Sequence, residues 1–243
     1  MSKLSLQDLV GLQNRVAEEV AGCAALEDAA QQYISILYDT LSESIVLARF
    51  FATIPFEELP GPNKEFVINL AQESGIRELI GDRTLVLSLL GSRGAKTEWN
   101  DRCKSRGHVG IPLASSDFID RIPMMSRLLK QLGVGIDWID SNDTGLVAKT
   151  FENLSGVFYV RDARSEVDNQ GRRIIAAQDF VEEENIKTVF GIGGCYMGTS
   201  LFFTTIIFVR EFLDRQLVER FMLQANKFKT ATLTLVDEGR IFV

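Results

Sequence analysis

The side chains best suited to chemistry lie in one polar stretch of the chain, from Gly91 to Leu113. It holds the single histidine, His108, together with Cys103 and Asp101. A cysteine and a histidine could form a catalytic pair or hold a haem or a metal ion, but nothing in their spacing requires them to meet. We therefore favour a histidine that ties down the loop over one that performs chemistry.

The same stretch carries an indole and two guanidinium groups, on Trp99, Arg102 and Arg106. Such groups can clamp an anionic or aromatic ligand, although they also fix loops by packing and hydrogen bonding. We predict a small-ligand site formed by these three residues and His108, with strand residues alongside. The strand residues of this predicted site are Phe158 and Phe203.

No carboxylates of the chain have a spacing that specifies acid-base catalysis. The candidates are Asp137, Asp140 and the run Glu182–Glu184, and a solvated turn is the favoured interpretation of that run. We assign no catalytic residue and no metal site, the sequence leaves the question of a cofactor open, and an enzyme is not the favoured class.

Composition limits the possible partners and the compartment. The 243 residues are 46% hydrophobic, enough for a substantial core, and the formal charge of −7 argues against binding to nucleic acid or to an anionic membrane. Three widely separated cysteines suggest neither a disulfide framework nor a zinc site. No apolar run reaches the length of a spanning helix, and the start of the chain lacks the apolar core of a signal peptide. We expect a cytoplasmic protein.

Two amphipathic helices are predicted at the start of the chain, within residues 1–42. One covers Leu6 to Val20 and the other Leu26 to Leu41, each with apolar residues at three- and four-residue intervals. Such stripes either cover the domain's own sheet or meet the same helix in a second subunit. We expect a homodimer, with residues 43–243 forming the domain proper.

The remainder of the chain indicates an α+β fold with one antiparallel sheet and helices packed on one face. Dense β-branched and aromatic runs predict strands, and apolar periodicity predicts one helix over 117–132 and another after Arg210. The glycines at 191, 193, 194 and 198 suggest a tight turn before the last strand, and 172–181 suggests a hairpin or meander with 156–161. The predicted strands are 44–56, 84–90, 156–161 and 201–209.

Three motifs give this pattern a more specific resemblance. They are Trp99-Asn-x-Arg102-x-x-Ser105-x-x-His108-x-x-Ile111-Pro-Leu113, Ala177-Gln178-x-Phe180-Val181 and Gly191-x-Gly193-Gly194. The chain resembles GAF domains over most of residues 26–237, and in particular a group of bacterial GAF-like modules that often stand ahead of histidine kinases. The resemblance implies a central antiparallel sheet, a small-molecule pocket on the face opposite the helices, and a histidine kinase or other signalling partner. It transfers no ligand or catalytic residue.

The sequence therefore predicts a sensory or regulatory domain that binds a small molecule and signals through a dimer or a partner. Two alternatives stay open. One is a small enzyme or a haem or redox protein using Cys103 and His108, and the other is a ligand-free dimerisation module.

Overall fold

The computed structural model of the protein describes residues 1, 5–105, 108–141 and 155–243. Its centre is a six-stranded antiparallel sheet with the order β3-β2-β1-β6-β5-β4. The strands are β1 (Ile45–Pro55), β2 (Leu85–Gly94), β3 (Gly110–Pro112), β4 (Ser155–Val160), β5 (Thr188–Cys195) and β6 (Phe202–Val209).

The two most apolar runs of the sequence form the middle of the sheet. β1 pairs with both β2 and β6, and every residue of β6 is buried. A strand between two neighbours and two covering layers must be apolar on both faces, which explains why these runs do not alternate. The predicted α+β fold with one antiparallel sheet is confirmed.

Long helices cover one face of the sheet, here called the helical face. They are α1 (Leu6–Val20), α2 (Leu26–Leu41) and α8 (Met222–Asp237). The Phe50 ring stacks on Phe203 at 5.3 Å and contacts Phe228 of α8 at 4.8 Å and Tyr33 of α2 at 6.2 Å between ring centroids. These rings form the centre of the core.

Shorter elements cover the opposite face, here called the insertion face. They are α4 (Ser116–Asp120), α5 (Pro123–Gln131), α6 (Gln178–Glu183) and the single-turn helix Asp137–Asp140, with α7 (Arg215–Glu219) leading into α8. The helix α3 (Gly61–Glu73) lies on the helical face instead, where its Asn63 donates to Ser88 Oγ of β2. The helix predicted over 117–132 is divided in two. Pro123 begins α5, and a proline fits only the first turn of a helix, so α4 has to end before it.

The predicted turn at the Gly191–Gly194 run is wrong. These residues lie inside β5, and the turn that precedes β6 contains Gly198, whose φ is +77°. A Cβ added at Gly191 would come within 2.4 Å of the Thr205 carbonyl oxygen, and one at Gly193 within 2.6 Å of that of Phe203. The glycines therefore permit close approach of β5 to β6.

The predicted hairpin of 156–161 with 172–181 is also wrong. β4 pairs with β5 instead, and 172–181 forms a loop that runs into α6. One isolated bridge joins Val167 to Arg173 within that loop. Ile174, Ile175 and Val181 are buried, so this segment is anchored by apolar side chains and not by a strand ladder.

The opening helix packs on its own domain. A capping box starts α1, with Ser5 Oγ accepting from the Asp8 N–H at 3.2 Å and an Asp8 carboxylate oxygen accepting from the Ser5 N–H at 2.9 Å. Its apolar stripe faces α2 and α8, and Val16 and Val20 are fully buried. The stripe therefore does not by itself require a second subunit. Within the described part of the chain, no helix is both long and apolar enough to cross a membrane.

Candidate functional site

The polar loop between β2 and β3 is folded by short-range hydrogen bonds. Asn100 Oδ1 accepts from the Gly94 N–H at 2.9 Å, and Asp101 Oδ1 accepts from the Cys103 N–H at 2.9 Å. Backbone hydrogen bonds form two single-turn helices in the loop, Thr97–Trp99 and Arg102–Lys104. The loop thus holds Trp99 on the insertion face and Arg102 beside the helices of the helical face.

Trp99 anchors this loop to the sheet. Its ring meets Phe180 of α6 edge-on at 5.5 Å, and Phe180 in turn meets Phe208 of β6 edge-on at 5.4 Å. The ammonium group of Lys96 lies 5.0 Å from the centre of the indole ring. Phe180 and Lys96 of the protein itself therefore contact the indole, which is the packing role that the sequence also allowed for Trp99.

Arg102 forms an ion pair with Glu27 of α2. The side chains of the pair are only 12% and 20% exposed, so the charges are largely removed from water. Arg102 Nη1 also lies 3.5 Å from Asn63 Oδ1 of α3. The guanidinium thus neutralises a carboxylate of its own chain.

His108 is exposed and adopts a left-handed backbone conformation with φ of 57°. No hydrogen bond joins its ring to a described residue, so the tie-down role expected for it has no support in the described part of the chain. Nearby protein atoms partly desolvate the imidazole, and the charge of Arg49 acts in the same direction, so the pKa of His108 lies below its ordinary value of 6.5.

Arg49 projects from β1 into the same region. Burial lowers its pKa to about 10, and its Nη2 donates to Ser105 Oγ at 3.1 Å. Sequence reasoning did not identify this residue, because it interrupts an apolar strand without any motif around it. It places a largely buried positive charge beneath the polar loop.

Cys103 and His108 do not form a catalytic arrangement in the described residues. The Cys103 side chain is exposed, and no hydrogen bond connects it to the imidazole. Among the described residues, no group of three or more His, Cys, Asp or Glu side chains is placed to hold a metal ion.

The six residues predicted to bind a ligand do not form one cluster. Phe203 packs among Phe50, Tyr196 and Phe228 on the helical face. Phe158 pairs with Gly191, which pairs with Ile206, and this places it on the insertion face. Arg106 lies outside the described residues.

A cleft of about 710 Å³ opens at the end of the sheet, near the start of β2. Its size is within the range of small-ligand sites. Buried Trp138 and the side chains of Leu85 and Leu113 form apolar walls, and Glu57, Asp82 and Arg83 stand at the rim. The cleft is lined by Pro55, Glu57, Leu79, Gly81, Asp82, Arg83, Thr84, Leu85, Leu113, Ala114, Trp138, Ile139, Ser141 and Ser200.

The tryptophan wall of this cleft is held by α4. Asp140 ends the single-turn helix that carries Trp138, and its carboxylate accepts hydrogen bonds from the N–H and the hydroxyl of Ser116. Sequence reasoning missed the cleft because its walls come from five separated segments. The segment with Trp138 has no apolar periodicity that would have assigned it to an element.

A second cleft, of about 420 Å³, lies between α5 and the loop 162–174. Its charged side chains pair with one another, with Arg127 to Glu166 and Arg172 to Asp168 each at 2.6 Å. A hydrogen bond from Ser126 is the main cause that lowers the pKa of Asp120 at its edge. These charges hold the loop against α5 and leave no unbalanced group for a ligand.

Comparison with known proteins establishes the class of fold. No family model matches the sequence. No curated protein matches it. Solved structures of GAF domains do match it. The phycocyanobilin-bound GAF domain from a cyanobacterial phytochrome is 10% identical with a TM-score of 0.51, covering 97% of this chain and 98% of that chain. A phycoerythrobilin-bound GAF domain from a cyanobacterial phytochrome is 9% identical with a TM-score of 0.51, covering 97% and 100%.

The predicted GAF-like domain is therefore confirmed at the level of the fold. At these identities the likeness concerns the fold alone, and the binding residues of the neighbours do not transfer to this chain. The association with a histidine kinase stays a prediction.

Proposed function

We propose that this chain is a sensory or regulatory domain that binds a small molecule and passes the signal to a second copy of itself or to a partner protein. The observation that carries the proposal is the 710 Å³ cleft, found at the end of the sheet in a GAF-like fold. Two bilin-bound GAF domains share that fold, which supports a sensory role without identifying the ligand.

The chemistry of the cleft favours a planar and mostly apolar ligand. Its walls are a tryptophan, an isoleucine and leucines, and its rim offers two carboxylates and one guanidinium. Apolar walls with a few polar groups are typical of small-molecule sites, because burial supplies affinity and the polar groups fix orientation. We place the ligand here and not at Trp99 and Arg102, since Phe180 and Glu27 already occupy those two side chains.

The binding test uses the cleft's own fluorophore. The chain has two tryptophans, so Trp99→Phe leaves Trp138 as the single reporter, inside the cleft. A panel of heteroaromatic metabolites, cyclic nucleotides and bilins is screened by thermal shift and by Trp138 emission. A ligand at a hundredfold excess over its dissociation constant should raise stability by about 2.7 kcal/mol.

Two matched variants locate the binding. Ala114→Phe fills the 710 Å³ cleft and should abolish the shift, whereas Val167→Phe fills the 420 Å³ cleft and should leave it unchanged. If no compound shifts melting, and native mass spectrometry of protein purified from its own host finds no retained small molecule, the ligand-free dimerisation module becomes the better interpretation.

A further inference from the structure

Arg102 contacts three segments that are far apart in the chain. Its guanidinium pairs with Glu27 at the start of α2, approaches Asn63 of α3, and lies 5.7 Å from the centre of the Phe242 ring in the C-terminal tail. Residues 239–243 are called the tail here. Asn63 is itself buried and donates to Ser88 Oγ of β2 at 3.1 Å. One side chain thus joins the polar loop, two helices and the tail.

The tail supplies the cap of α2. The N-cap residue of that helix is Ala25, which has no side chain able to accept a hydrogen bond. Instead, the N–H groups of Leu26 and Glu27 donate to the carbonyl oxygens of Arg240 and Ile241, each at 2.9 Å. The first N–H groups of a helix have no partner within it, so the tail provides what a capping side chain normally provides.

Glu27 is the residue at which these two sets of contacts meet. Its backbone N–H binds the tail, and its carboxylate binds Arg102 from the loop. The pair is largely shielded from water, so moving Arg102 away would leave a partly buried carboxylate without its cation. The position of the polar loop is therefore linked to that of the tail through Glu27 and its partner Arg102.

We propose that Arg102 is a positioning residue that couples the polar loop to the tail, so that displacement of the loop releases the tail and uncaps α2. Coupling of this kind is reciprocal, because a contact that stabilises the tail against the loop also stabilises the loop against the tail. The inference goes beyond the proposed ligand site, since no step of it requires a ligand.

Amide hydrogen exchange of the full chain, without ligand, tests the coupling. Arg102→Met keeps the length of the side chain and removes its charge, and we expect exchange at Leu26, Glu27 and the tail to accelerate at least tenfold. Lys104→Met is the matched control, because Lys104 lies in the same single-turn helix but is 70% exposed and reaches only Asp101. This control should exchange like the unmodified chain at those positions.

The reverse direction is tested with Phe242→Ala. This change should accelerate exchange of the Gly94 and Cys103 N–H groups, which are bonded within the loop. Amides of β5 and β6 report global stability and should be unaffected in each variant. If Arg102→Met does not fold, Glu27→Gln replaces it and should give the same local acceleration.

Two results would overturn the proposal. One is unchanged amide exchange of the tail in Arg102→Met, or in Glu27→Gln if that variant replaces it. The other is unchanged amide exchange of the loop in Phe242→Ala. Both outcomes leave the cleft intact. A failure here is therefore distinguishable from a failure to bind ligand.

Discussion

At the scale of single residues, Gly191 is a position where the close approach of β5 to β6 leaves no room for a side chain. A methyl group there would lie 2.4 Å from a backbone oxygen of β6, and backbone cannot turn aside as a flexible side chain can. We expect Gly191→Ala to lower the free energy of unfolding by about 1–3 kcal/mol, the usual range for overpacking. Chemical denaturation of both proteins measures this difference in the free energy of unfolding.

Gly11 provides the control for that change. It is exposed within α1, and an added Cβ meets nothing within 4 Å. Gly11→Ala should raise stability by about 0.5–1 kcal/mol, because alanine loses less backbone entropy in a helix. Equal effects of the two substitutions would contradict the close approach of β5 to β6.

His108 gives the chain a predictable pH dependence. Its folded pKa lies below the ordinary 6.5, so the unfolded chain binds the proton more readily than the folded chain does. This group therefore costs no stability above about pH 6.5, and the loss begins as the pH falls below 6.5 and is complete below the folded pKa. The exposed ring is screened by water, so we expect a loss below about 1 kcal/mol.

Replacing the histidine isolates that contribution. His108→Asn removes the titrating group, and asparagine tolerates the left-handed backbone found there. Thermal melts between pH 7 and pH 5 should fall less steeply for the variant, since the chain has no other histidine. If the melting temperatures of the two proteins fall equally with pH, the imidazole has the same pKa in the folded and the unfolded chain.

At the scale of elements, the central strands were predictable because their composition follows from burial on both faces. β1 and β6 have strands on either side and layers above and below, and few residue types satisfy both demands. The glycines of β5 gave the opposite signal. Glycine serves both tight turns and close strand approach, and only the neighbouring strand shows which applies.

The strand β4 lies at the edge of the sheet, and the segment 172–181 was wrongly predicted to pair with it. On its open side, Gln131 Oε1 accepts from the Tyr159 N–H at 2.8 Å, and Arg127 donates to the Tyr159 carbonyl oxygen at 3.0 Å. Side chains of α5 thus satisfy groups that another strand would otherwise satisfy. No sequence pattern distinguishes a helix side chain in this role from a missing strand.

The candidate site was less predictable than the fold for a related reason. The polar loop was predicted as the ligand site, but its Arg102 and Trp99 contact Glu27 and Phe180, which lie far away in the chain. A side chain's type shows what it can bind, and only the fold shows which partner is near. The cleft beside Trp138 has walls from five segments, so no local spacing could predict it.

At the scale of the whole molecule, the buried stripe of α1 changes how assembly has to be tested. Leu9 and Leu12 are 2% and 3% exposed on their own chain. Removing α1 would uncover apolar surface whether or not a dimer exists, so aggregation of a truncated chain says nothing about assembly. Substitutions on outward-facing residues are needed instead.

The predicted homodimer is best tested on the outer faces of α1 and α8. These helices lie side by side, with Gln224 Nε2 donating to the Leu9 carbonyl oxygen at 3.0 Å, and they expose Val10 at 52% and Leu223 at 53%. We expect the full chain to sediment as a dimer that covers these side chains. The double variant Val10→Glu/Leu223→Glu should sediment as a folded monomer, because the new charges oppose burial.

Val167→Glu supplies the comparison for that measurement. Val167 is 46% exposed in the loop packed on α5, on the face of the sheet opposite α1 and α8, so its variant should sediment like the unmodified chain. A monomeric unmodified chain would show the homodimer prediction to be wrong. Under the proposed sensory function, the output would then have to pass to a different protein.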